Sequence, residues 1–140
     1  MLTAEGGYFK FCFMIEIWKP VFGYEDYYQV SNTGKIRSLD RIVLSRGSRM
    51  CKGKIIKQGT DKYGYKTIHL RKNGNRKSFF VHRLVLINFI GIDENKSQVN
   101  HKNSNKQDNV LSNLEWMTPI ENTRHAWRNI RNGISCKAKK

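Results

Sequence analysis

Apolar residues recur along this chain at two spacings, one suited to strands and one to helices. Tyr28-Gln29-Val30 alternates, Ser31-Asn32-Thr33-Gly34 turns, and Lys35 to Leu39 alternates again. That pattern predicts a β-hairpin with Gly34 supplying a positive φ. Two strands alone are marginal, so this pair should lean on others. Tyr65 to Leu70 also alternates, Asn73-Gly74 marks a tight turn, and Lys77 to Val81 returns as a second hairpin. From His82 to Gly91 the spacing becomes helical, with Leu84, Val85, Phe89 and either Ile87 or Ile90 as the buried stripe and Gly91 as the stop. Val99 begins a short strand that ends on His101, and Leu114 and Trp116 alternate in another. Thr118-Pro119-Ile120-Glu121 then opens a helix. Thr118 can cap it, Pro119 suits the first helical position, and Glu121 completes a capping box. Asn122 and His125 share a face of that helix. Leu114, Trp116 and Trp127 are expected to pack the two strands against it.

The intervals carry less pattern. Pro20 and Gly23 punctuate a bend. Trp18, Tyr24 and Tyr28 suit either core packing or stacking on bases. Residues 40–62 are basic and interrupted by Gly47, Gly53 and Gly59, as in a solvated loop or a ribbon that follows a phosphate backbone. The elements together predict an α+β chain: an antiparallel, β-rich, basic N-terminal module, then two short strands and a helix.

Composition sharpens this. A chain of 140 residues suits one compact domain, or a small domain with an appended module. The net charge is +15 and it is clustered. Residues 1–34 carry net −2, residues 84–140 net +4, and residues 35–83 hold fifteen basic against two acidic side chains, net +13. Such a field repels itself unless a polyanion neutralises it. Tyr63, Tyr65, Phe79 and Phe80 interleave with the charge, as in nucleic-acid-binding surfaces. Arg71, Lys72, Arg76 and Lys77 crowd the tip of the second hairpin, which suits a DNA groove. Candidate DNA contacts also include Lys35, Arg37, Arg41, Lys54, Lys66, Arg83 and Arg124.

Cys12, Cys51 and Cys136 form no CxxC pair, and an odd number argues against a disulfide framework, so they read as free thiols in a reducing compartment. No apolar run reaches membrane-spanning length. The apolar stretch Phe9 to Ile15 is too short for a secretory leader, so the expected setting is the cytoplasm of whatever cell expresses the chain. Met1 and Met14 are alternative starts.

The candidate chemistry lies between Gln98 and Trp127. Histidine is suited to moving a proton near neutral pH, and asparagine offers a neutral oxygen to a hard cation. His101, Asn113 and Asn122, with the words Val81-His82-Arg83-Leu84-Val85, Val99-Asn100-His101, Asn113-Leu114-Glu115-Trp116 and Glu121 to Ala126, resemble the HNH endonucleases of the phage and intron-encoded homing branch. Trp18 to Ser38 is similar to a modular, NUMOD-type DNA-binding motif. The resemblance covers most of residues 16–128 and implies a ββα-metal (His-Me finger) nuclease fold. The chain then divides into an N-terminal extension (1–15), a modular motif with a basic loop (16–62), a nuclease domain (63–128) and a basic tail (129–140).

The resemblance assigns roles by position. It makes His101 the general base and Asn122 a ligand of one divalent ion, Mg²⁺ with Mn²⁺ as a substitute. Asn113 would tie the loop that orients His101. Asn100 falls where the family often has an aspartate as second metal ligand. Two neutral amides imply weak metal binding without DNA, with phosphate and water completing the shell. His125 is either an accessory ligand or phosphate contact, or a surface histidine. His82 is either accessory or structural. The implied partner is duplex DNA, bound by a monomer that nicks or cuts it; no membrane is implicated. The stretch after Trp127 is too short for a helix-turn-helix, so long-site specificity would come from the basic N-terminal half or be modest. Two other readings stand beside this: a DNA-binding protein of the same fold with weak or lost catalysis, which Asn100 allows, and an RNA-binding protein.

Overall fold

The computed structural model describes residues 15–132. The alternative start at Met14, Cys12, Cys136 and the basic tail from Gly133 lie outside the described residues. The fold is α+β.

The first sheet is β1 (Trp18–Pro20), β2 (Tyr28–Ser31) and β3 (Ile36–Ser38), all antiparallel. β1 stands where the sequence predicted only a bend. Pro20 is compatible because β1 is an edge strand and Pro20 its last residue. Gly34 takes φ +88°, as the hairpin requires. β4 (Arg41–Leu44) and β5 (Ser48–Cys51) pair only with each other, so the basic stretch is a ribbon rather than a loop. β6 (Gly59–Thr60), β7 (Lys66–Lys72) and β8 (Asn75–Phe80) make a second antiparallel sheet. Asn73 and Gly74 both have positive φ, 50° and 78°, the signature of the expected two-residue turn.

β8 runs directly into helix α1 (Val81–Phe89). The helix begins at Val81, one residue before the predicted His82. Its stripe also differs from the prediction. Leu86 is fully buried, while Ile90 is 62% exposed and Ile87 and Phe89 are half-buried. The sheets cause this: α1 packs against β2, β7, β8 and β10, so its buried arc widens beyond one stripe. Gly91, at φ +106°, donates its N–H to the Leu86 carbonyl and closes the helix.

β9 (Gln98–His101) pairs antiparallel with β10 (Leu114–Met117), and α2 (Pro119–Arg131) follows. Thr118 and Glu121 form the full reciprocal capping box, with Pro119 in the first turn. Residues 129–131, read from sequence as tail, complete this helix.

A single core cluster joins these parts. Val21, Tyr28, Val30 and Ile36 come from the N-terminal module, Ile68 and Leu70 from β7, Val81 and Leu84 to Leu86 from α1, and Leu114 and Trp116 from β10. Trp116 also donates its Nε1–H to the Gly91 carbonyl at 2.9 Å. Trp127 does not join. It is 60% exposed and lies outside the core cluster. The module and the β9–β10 pair thus share one apolar core through α1.

Candidate active site

β9 delivers two buried polar residues in succession, Asn100 and His101, each 5% exposed. Register places Leu114 opposite His101 and Glu115 opposite Asn100. α2 crosses beside them and brings Asn122 and His125. Asn100, His101, Asn122, His125 and Trp127 line one cleft of about 350 Å³. The candidate residues His101, Asn100 and Asn122 therefore converge.

His101 is oriented by a residue the sequence reading missed. Its Nε2 lies 2.9 Å from Asn109 Oδ1. A carbonyl oxygen only accepts, so Nε2 carries the hydrogen and Nδ1 keeps the lone pair. Burial lowers the His101 pKa; the Asn109 hydrogen bond and the charge of Asp108 oppose this, and Lys106 adds to it. The result is an imidazole biased towards its neutral form. Asn109 is itself buried, with the Gly34 turn against it: a Cβ at Gly34 would stand 2.9 Å from Asn109 Cβ.

Asn113 binds the loop between the two strands. Its Nδ2 donates to Asn103 Oδ1 and to the Asp108 carbonyl, both at 2.9 Å, and its Oδ1 accepts from the Asn103 N–H. α2 docks on the same loop through Asn129, whose Nδ2 donates to Ser104 Oγ. The buried Asn129 also donates to His125 Nδ1 at 3.2 Å. A neutral His125 thus carries its hydrogen on Nε2.

Both asparagine amides are held through nitrogen. Asn100 Nδ2 donates to Glu115 Oε1 at 2.9 Å, and Asn122 Nδ2 donates to Gln98 Oε1 at 2.8 Å. That leaves their carbonyl oxygens as candidate hard donors. No group of three or more His, Cys, Asp or Glu side chains suited to a metal occurs among the described residues. A donor set of two amide oxygens suits a hard divalent ion weakly, with water, and phosphate where DNA is bound, completing its shell.

Behind His101 sits an aromatic box. His82 meets His101 edge-on at 5.3 Å, stacks on Phe80 at 5.3 Å, and meets Tyr65 at 5.3 Å. Burial pushes the His82 pKa down to about 3, with the positive charges of His101 and Arg83 adding to this and Asp61 opposing it. Its Nδ1 is buried without a hydrogen-bond partner. His82 thus packs the back of His101, and the residues lining the cleft do not include it.

The candidate DNA contacts divide into two groups. Arg71, Arg76, Lys77, Lys54 and Arg124 are exposed. The others have partners, although Lys35 and Arg83 are exposed as well. Arg37 donates to Gln29 Oε1 and covers the Trp18 ring, and Arg83 donates to the Ser97 carbonyl beside Trp116. Lys72 donates to the Gly23 carbonyl, Lys66 to Thr60, and Lys35 pairs with Glu16. Arg41 lies over Tyr27 and Tyr28.

Residues 16–71 match the NUMOD4 motif, and residues 79–124 match the HNH endonuclease model. The chain is similar to DNA endonuclease I-HmuI of Bacillus phage SP01, 43% identical over 101 residues, which cover 72% of this chain and 52% of that protein. It is also similar to an uncharacterised HNH endonuclease of Acanthamoeba polyphaga mimivirus, 40% identical over 86% of this chain and 32% of that protein. A solved structure, described as DNA binding and cleavage by the HNH homing endonuclease I-HmuI, superposes with a TM-score of 0.65 and 38% identity. It covers 85% of this chain and 60% of that one. The chain therefore spans about half the length of the first of these relatives and about a third of the second.

Proposed function

Residues 79–124 make this chain a member of the HNH endonuclease family, with a NUMOD4 motif ahead of them, and on that premise we propose that it hydrolyses phosphodiester bonds of duplex DNA. One observation carries the reading: His101, fixed by Asn109 with its lone pair on Nδ1, shares a cleft with the amides of Asn100 and Asn122. His101 takes a proton from a water molecule. The water oxygen bonds to phosphorus as the bond from phosphorus to the 3′ oxygen breaks. The ends are a 5′-phosphate and a 3′-hydroxyl, whose proton comes from solvent. Asn113 holds the loop that keeps Asn109 and His101 in register. His125 offers its Nε2–H to a phosphate oxygen.

Asn100 and Asn122 would hold one divalent ion, Mg²⁺ or Mn²⁺ in its place, through Oδ1. When bound, the ion supplies positive charge for the phosphate and the departing oxygen. The exposed Arg71, Arg76 and Lys77 grip the duplex backbone. One site in a monomer nicks one strand.

Asn100 also supports a second reading, in which the same surfaces bind DNA and cleave it weakly or not at all. Supercoiled plasmid with Mg²⁺ or Mn²⁺ separates the two. The first reading predicts nicked circles that DNA ligase reseals, and loss of nicking in a chelator. Shifted but uncut plasmid in either metal would favour the second.

A further inference from the structure

The two donor asparagines are held in the same way by unlike partners. Asn122 is tied through Nδ2 to a neutral amide, Gln98. Asn100 is tied through Nδ2 to a carboxylate, Glu115, at 2.9 Å, and Glu115 is its direct partner across the β9–β10 ladder. Asn100 is 5% exposed, while Glu115 is half-buried on the same sheet face.

We propose that Glu115 is a positioning residue that turns Asn100 into a cation donor and supplies the negative charge that the amide lacks. Two physical effects combine. Holding Nδ2 fixes the amide plane, so the donor oxygen needs no reordering when a cation arrives. An anionic acceptor on an amide N–H also draws electron density through the conjugated C–N bond onto Oδ1, because hydrogen bonds in a chain polarise one another. The carboxylate itself lies one residue outside the ligand pair, close enough for its charge to act in a partly buried site. The negative charge of a carboxylate ligand is thus moved across the strand pair rather than lost. Gln98 provides only the first effect, so Asn100 is the stronger donor of the two.

This rests on the cleft being a cation site, and the test separates the two claims. Mn²⁺ alone is titrated into the whole chain at neutral pH, with free Mn²⁺ read by electron paramagnetic resonance and folding followed by thermal melts. Wild type should bind one ion. Glu115→Gln keeps an acceptor oxygen but removes the charge, and its Mn²⁺ affinity should fall roughly 10–100-fold, as for other outer partners of metal ligands. The exchanged pair Asn100→Asp with Glu115→Gln returns the charge to the ligand and should bind at least as tightly as wild type. A purely structural clamp would shift the melts and leave affinity alone. Wild-type affinity in folded Glu115→Gln would overturn the role of Glu115, as would an exchanged pair that binds no better than Glu115→Gln. A wild type that binds no Mn²⁺ would overturn the cation reading itself, and this proposal with it.

Discussion

His101 has its proton placed by one neighbour. Asn109 accepts from Nε2, and burial keeps the ring below its ordinary pKa. Only the neutral ring can accept a proton. Single-turnover cleavage should therefore rise with pH through a point below 6.5, the ordinary histidine value, and be level at neutral pH. Asn109→Ala removes the acceptor and frees both tautomers. The expected loss is at least about 10-fold in rate with little change in DNA affinity, measured at saturating duplex. The sequence made His101 and Asn122 legible, through a strand ending and a capping box. It could not single out Asn109, because five asparagines lie between positions 100 and 113 and only the folded loop separates their tasks. Glu115 was within reach: pairing the strand before His101 with the strand after Asn113 puts it opposite Asn100.

At the scale of elements, the β2–β3 turn touches the residue that orients His101. Gly34 lies against Asn109, and the Leu111 N–H donates to the Asn32 carbonyl at 2.8 Å. Gly34→Ala must adopt φ +88° and push against Asn109. It should cost at least about 1 kcal/mol in denaturant unfolding, and slow cleavage in the fraction that remains folded. Helix α1 carries a second prediction. The pKa of His82 is about 3 in the fold, against an ordinary 6.5. Between those values the unfolded chain binds the proton first. The contribution is complete above 6.5 and lost as pH falls towards 3. His82→Phe keeps the ring packing and removes the titrating group, so thermal melts from pH 7 downward should show a shallower acid decline. The hairpins and the capping box could be read from local chemistry. The full burial of Leu86 could not, because it depends on sheets that meet α1 from several sides.

The whole molecule joins a basic N-terminal module to the cleft of His101 through one core. No helix among the described residues is long and apolar enough to cross a membrane. The charge count located the positive excess, net +13, in residues 35–83. It could not foresee which cations are engaged within the fold, such as Arg37 on Trp18 or Lys72 on Gly23. Arg76→Ala or Lys77→Ala should weaken duplex binding and lower the slope of log affinity against log salt by about one, seen in fluorescence anisotropy titrations. The cleavage rate at saturating DNA should be unchanged. The most direct test of the account compares wild type with His101→Ala on supercoiled plasmid in Mg²⁺, both at saturating protein. A general base at His101 predicts a loss of at least about 100-fold in nicking rate with DNA affinity retained. Equal rates in the two proteins would contradict it.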